Sequence, residues 1–103
     1  MDARKRKNKP WKFVLYVAGD GGKTGSAIAS LKQICESHIG SDCDIRVVDL
    51  LEHPELARQH DILAVPTVVR THPPPERRVI GDLSSTDLVV KGLELPRKIP
   101  QGI

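Results

Sequence analysis

Apolar residues run almost without a break from Trp11 to Val17 (WKFVLYV), with Lys12 the one exception. A run so rich in aromatic and β-branched residues predicts a strand, and its continuity predicts a central strand covered on both faces. After a glycine-rich turn, AGDGGKTG, the period changes. Ala27, Ile28, Leu31, Ile34, Cys35 and His38 recur at three- and four-residue spacing, which predicts an amphipathic helix from Thr24 to about His38 with Gly40 as its stop. DIRVVDL, residues 44–50, predicts a second strand. Pro54 suits the first turn of a short helix over ELARQH, where its missing N–H would have no helical partner. VPTVVRT, residues 65–71, predicts a third strand entered through a proline, HPPPE a rigid break, and residues 77–80 a fourth strand closed by Gly81-Asp82. Ser84 can cap a last helix carrying Leu88, Val89 and Leu93, with Asp87 at its positive end and Pro96 and Pro100 beyond it. The expected core is Phe13, Leu15, Val17, Ile28, Leu31, Val47, Val68 and Ile80.

The resulting order is β-α-β-α-β-β-α. A βαβ unit makes strands 1 and 2 parallel with a right-handed crossover, and the short proline-rich link makes the last two antiparallel. The expectation is an α/β fold with a small mixed four-stranded sheet and helices on its faces.

At 103 residues the chain is one domain's worth, and 39% hydrophobic with 28% charged residues allows a soluble globular fold. No apolar run approaches the roughly 20 residues of a membrane helix, and no apolar segment of secretory-signal type follows the basic N-terminus. Two cysteines, Cys35 and Cys43, offer neither a metal quartet nor a disulfide framework, which points to a reducing cytoplasm. The net charge of +3 is localised: residues 1–12 hold six basic side chains against one acidic, while the other 91 hold ten basic and twelve acidic. The expected organisation is therefore a basic disordered arm (1–10), a single domain (11–95) and a loose C-terminal tail (96–103). RKRKNK can attract phosphate non-specifically, but a nucleic-acid domain would carry its basic residues and stacking aromatics on the folded surface. Nucleic-acid binding is not expected.

The chemistry-bearing residues form no catalytic pattern. Gly22-Lys23-Thr24 resembles the end of a phosphate-binding loop, but the glycine needed five residues earlier is Val17. Val65-Pro66-Thr67 before the third strand points to the thioredoxin fold, yet the turn after strand 1, where thioredoxins carry C-x-x-C, reads Gly19-Asp20-Gly21-Gly22-Lys23-Thr24. Cys35 reads as a core cysteine and Cys43 as an incidental loop thiol, so dithiol redox chemistry is not expected. His38, His53, His60 and His72 lack helical metal-site spacing, and Ser84-Ser85-Thr86 reads as a helix cap. No enzymatic activity, metal or cofactor is expected.

LYVAG (15–19), DILAVPT (61–67), PPPERRVIGDLS (73–84) and VKGLEL (90–95) together resemble the KaiB family of circadian-clock proteins, from about Trp11 to Leu95, with the PPP-x-RR-x-IGDLS block the most specific part. The resemblance implies a non-catalytic regulator that docks on a KaiC-type hexameric ATPase and modulates its phosphorylation cycle. It implies capture of KaiA, displacement of a KaiB-like-domain histidine kinase, and a free state that is a dimer or tetramer. It also implies two folds: the thioredoxin-like β-α-β-α-β-β-α that binds KaiC, and a tetrameric ground-state arrangement, β-α-β-β-α-α-β. Two such arrangements coexist only when they lie within a few kcal/mol of each other. A thioredoxin-fold adaptor in stress response without a clock role is the alternative. The chain departs from the family in its basic arm, in lacking an acidic C-terminal tail, and in carrying Asp61 where a basic residue is common.

On this reading the partner surface comprises Arg46, Arg77 and Arg78, with Thr24 and Ser26 on the first helix. Planar guanidinium groups suit carboxylates and carbonyls at an interface. The fold switch would use Pro66, Pro73, Pro74, Pro75, Gly92 and Glu94. DLVVKGLEL is helix-compatible but weakened by Val89, Val90 and Gly92, and prolines offer slow isomerisation as a barrier.

Overall fold

The computed structural model describes residues 11–81 and 83–97; the expected arm (1–10), Asp82 and residues 98–103 of the expected tail, Pro100 among them, lie outside the described residues. The elements are β1 (Trp11–Val17), α1 (Gly22–His38), β2 (Cys43–Asp49), α2 (Glu55–Gln59), β3 (Thr67–His72), β4 (Arg77–Ile80) and α3 (Thr86–Leu93). The chain thus adopts the thioredoxin-like order of the two anticipated. The sheet order is β2-β1-β3-β4, with β1 parallel to β2 and antiparallel to β3, and β3 antiparallel to β4.

Alternation along β1 divides the core between two faces. Phe13, Leu15 and Val17 point to one side, where Ala27, Leu31, Ile34 and Cys35 of α1 and Val89 and Leu93 of α3 bury them. Tyr16 points to the other, against Val48, Ile62 and Val69, with Leu56 and Ala57 of α2 packed alongside. β1 is therefore a central strand covered on both faces, and it carries the continuous apolar run such a strand needs.

Two expected core residues lie elsewhere. Val47 is 43% exposed and Ile80 56% exposed. Both stand on edge strands. Val47 registers with Leu15 on the helix-covered face but lies on the outermost strand, and its neighbour Val48 is the buried one. Ile80, opposite Thr67, ends β4 on the face that short α2 guards. Ile28 is half-buried against the main core. In α3 the inward pair is Val89 and Leu93, while Leu88 faces solvent at 66% exposure.

Helix boundaries follow local chemistry. α1 begins at Gly22, two residues before the expected Thr24. No side chain caps its start, and the Thr24 hydroxyl instead donates to the Gly19 carbonyl (2.9 Å). Gly19 takes φ +78°, a region open to glycine. Its N–H and that of Leu51 donate to Asp49 Oδ1 at 2.8 and 2.9 Å, tying the turn after β1 to the end of β2. The N-cap of α3 is Ser85 rather than Ser84, again without a side-chain bond, and Asp87 lies in its first turn.

α3 ends in a Schellman motif. The Leu95 N–H donates to the Val90 carbonyl (3.0 Å) and the Glu94 N–H to that of Lys91 (3.2 Å). Glu94 occupies the left-handed position at φ 55°, where a side chain costs roughly 1–2 kcal/mol relative to glycine. Gly92 faces β4: a Cβ there would stand 2.4 Å from Val79 Cγ2.

Arg70, 4% exposed, joins these parts. Its Nη1 donates to the carbonyls of Leu93 (2.9 Å) and Glu94 (3.2 Å), and its Nη2 to that of Pro75 (2.8 Å). The guanidinium carbon lies 5.6 Å from the Trp11 ring centroid, in cation–π range. A cation at a helix C-terminus also opposes the helix dipole. The Val65–Pro66, His72–Pro73 and Pro74–Pro75 peptide bonds are cis.

Two measurements test these contacts. A carbonyl left without its buried donor costs about 1–3 kcal/mol, so Arg70→Met should lower stability in urea by at least about 2 kcal/mol; an unchanged midpoint would show that water replaces the guanidinium. The Gly19 and Leu51 N–H groups hold the Asp49 carboxyl below its ordinary value of 3.8. A depressed folded-state value stabilises the protein above the unfolded value, and that contribution fades as pH falls through 3.8 toward the lowered one. Asp49→Asn should be less stable than the parent at neutral pH, with the gap closing in acid. A gap independent of pH would contradict the assignment.

Candidate functional site

The α2 face of the sheet is only partly covered, because α2 has five residues and none of them is buried. The strands place Val14, Arg46, Val69 and Arg78 in one row across this face, since Val14 registers with both Arg46 and Val69, and Val69 with Arg78. Together with Tyr16 and His60 they line an open depression of about 290 Å³. The Tyr16 and His60 rings lie 5.9 Å apart at a 37° tilt.

The two arginines differ in their commitments. Arg78 Nη1 donates to the Asp61 carbonyl (3.0 Å), and Nη2 to the His60 carbonyl (3.2 Å) and Glu76 Oε2 (2.9 Å). Arg78 therefore fastens the end of α2 to the β3–β4 hairpin. Arg46 is exposed on edge strand β2 and, among the described residues, holds no hydrogen bond or ion pair. Burial raises the Tyr16 phenol above its ordinary value; the Arg78 cation pulls it down, Glu76 raises it and Arg46 lowers it. An apolar floor with one available cation at its rim can take an acidic partner surface.

The other anticipated site residues lie apart from this depression. Arg77 points to the opposite face, where its Nε donates to Glu94 Oε2 (2.8 Å), joining a residue expected at the partner surface to one expected in the switch. Thr24 and Ser26 lie at the start of α1; Ser26, with Lys23, Val65 and Pro66, lines a groove of about 550 Å³ that contains no thiol. Gly92, Glu94 and Pro75 converge on the end of α3 through Arg70, Arg77 and Val79. Pro66 is at the other end of the hairpin, its carbonyl accepting the Gly81 N–H (2.9 Å). Pro73 and Pro74 lie in the β3–β4 loop.

Sequence reasoning passed over Arg70, the Tyr16–His60 pair and the juxtaposition of Cys35 with Cys43. An arginine flanked by VV inside a strand was the available signal for the first. Nothing in the spacing signalled the other two, which depend on how separate elements pack.

The KaiB domain family profile matches residues 14–95, which include every helix and all but the first residues of β1. The chain belongs to the KaiB family. It is 35% identical over 89 residues to circadian clock protein KaiB3 of Synechocystis sp., covering 86% of this chain and 84% of that protein. It is 41% identical over 87 residues to circadian clock oscillator protein KaiB of Prochlorococcus marinus, covering 84% of this chain and 81% of that protein. Among solved structures, the N-terminal domain of Synechococcus elongatus SasA superposes with a TM-score of 0.62 at 15% identity, covering 81% of this chain and 75% of the other. Mitochondrial thioredoxin 3 of Saccharomyces cerevisiae gives 0.64 at 18% identity, covering 88% and 83%. The thioredoxin-like fold of this KaiB-family chain is thus shared with proteins of very different sequence.

Tyr16 is the chain's single tyrosine, so an ultraviolet titration reads it directly. Its midpoint should lie above the ordinary value of 10.0. Arg46→Ala should raise the midpoint further and Glu76→Gln should lower it. Equal or same-direction shifts would dissociate these groups from the depression.

Proposed function

We propose that this chain is a non-catalytic, cytoplasmic timing regulator that binds a KaiC-type hexameric ATPase and modulates its phosphorylation cycle. The KaiB-domain match across residues 14–95 carries the reading, together with relatives named as circadian clock proteins. The working unit is residues 11–95, and the free protein is a homo-oligomer that exchanges with the binding-competent fold.

Arg46 is the main contact toward the ATPase, because it is an exposed cation on an open sheet face. Arg78 acts by holding α2 in place. The switch resides at the end of α3, an eight-residue helix. So short a segment depends on tertiary contacts for its helicity. Its tertiary contacts are the burial of Val89 and Leu93 in the main core, the Arg70 donors, the Arg77–Glu94 pair and the approach of Gly92 to Val79. Releasing them would free residues 85–95, rich in valine and leucine, to take another conformation. KaiA or a histidine kinase with a KaiB-like domain would meet the complex after the ATPase has bound.

Size-exclusion chromatography with the KaiC-type ATPase of the same organism and ATP tests the reading. A complex should appear slowly, over hours, and Arg46→Glu should weaken it at least tenfold, about 1.4 kcal/mol. No complex in any nucleotide or phosphorylation state would overturn the proposal.

A further inference from the structure

Cys35 lies in the last turns of α1 and Cys43 opens β2. The end of α1 folds the chain back between them. The Ile39 and Gly40 N–H groups both donate to the Cys35 carbonyl, at 2.7 and 2.9 Å, and Gly40 reverses the chain at φ +91°. The return brings the two cysteines to the same edge of the main core, where they line one depression. Both belong to one core cluster, Cys35 only 2% exposed and Cys43 half-buried at its margin. Both also line an open depression of about 300 Å³, with Lys32 and Glu36 at its rim. The pair is therefore reachable from solvent on the Cys43 side.

We infer that Cys35 and Cys43 form a reactive dithiol that low-molecular-weight disulfides oxidise to an intramolecular Cys35–Cys43 disulfide. The thiolate of Cys43, the more accessible sulfur, attacks one sulfur of the small disulfide. A mixed disulfide forms on Cys43 and the first small thiolate leaves. Cys35 then gives its proton to that thiolate or to water and attacks Cys43 Sγ, expelling the second small thiolate. Two protein thiols and one small disulfide thus become one protein disulfide and two small thiols, with the protein oxidised and the small disulfide reduced. The step needs the two sulfurs to close to a bond of about 2.05 Å. Cys35 is the buried sulfur of the two, and the neighbouring Cys43 together with burial pushes its thiol up, so it acts as the resolving rather than the attacking group. Reversible disulfides inside cells are commonly of this redox-sensing type. The link would fasten the end of α1 to the start of β2, three residues from Arg46 on the same strand.

Incubation with oxidised glutathione, quenching with an alkylating reagent and peptide mapping by mass spectrometry tests the inference. The wild-type chain should lose two hydrogens, gain an internal link between the Cys35 and Cys43 peptides, and return to the dithiol with excess reduced glutathione. Cys35→Ser should instead accumulate glutathione on Cys43, and Cys43→Ser should remain unmodified. Because a serine at buried position 35 could impair folding, wild-type protein is also titrated with phenylarsine oxide, whose trivalent arsenic bridges neighbouring thiols. One equivalent should block both cysteines. Full alkylation of both cysteines at every glutathione ratio, links only between chains, or arsenical binding that leaves one thiol open would overturn the inference.

Discussion

The C-terminal half of the molecule is organised around the guanidinium of Arg70, which reaches from β3 to the end of α3 and the proline loop. Taking a guanidinium out of water is costly unless its donors find acceptors. Here Nη1 and Nη2 meet the backbone carbonyls of Leu93, Glu94 and Pro75, the Trp11 ring supplies an aromatic face, and the buried Nε finds no acceptor among the described residues. One side chain therefore satisfies the end of a helix, anchors the β3–β4 connection and covers the start of β1. The position of α3 depends on it together with the burial of Val89 and Leu93, because eight residues form too short a helix to persist alone in water. The strained Glu94 at the cap, paired with Arg77, lies within the same group of contacts.

The two faces of the sheet are covered unequally. On one face α1 and α3 close over Phe13, Leu15 and Val17, and this burial supplies most of the apolar core. On the other, a five-residue helix leaves an open depression lined by Val14, Tyr16 and Val69 together with Arg46 and Arg78. Arg78 spends its donors on the backbone that ends α2. That leaves Arg46 available to a partner while the shape of the depression stays fixed.

Much of this was legible in the residues. The uninterrupted run of β1, the three-and-four spacing of α1 and the proline signals yielded the element order and the parallel and antiparallel pairings. What was not legible depends on how the elements pack. Val47 and Ile80 look like core residues because hydrophobicity along a strand does not reveal whether that strand is at an edge. Arg77 and Arg78 look equivalent in sequence, yet strand alternation sends them to opposite faces, one to Glu94 and the other to the end of α2. Arg70 reads as another strand charge until α3 is seen to end over it. Cys35 and Cys43 look unrelated across eight positions, because their meeting depends on the reversal at Gly40.

The contact between Gly92 and Val79 sets a limit on how the chain can diverge. α3 rests on β4 at the one point where the helix has no side chain, and a Cβ there would stand 2.4 Å from the valine methyl. A larger residue at 92 requires a smaller one at 79, or a helix displaced from the strand and with it a displaced seat for the Arg70 fork. A change at 92 is therefore tied either to position 79 or to the seat of the helix.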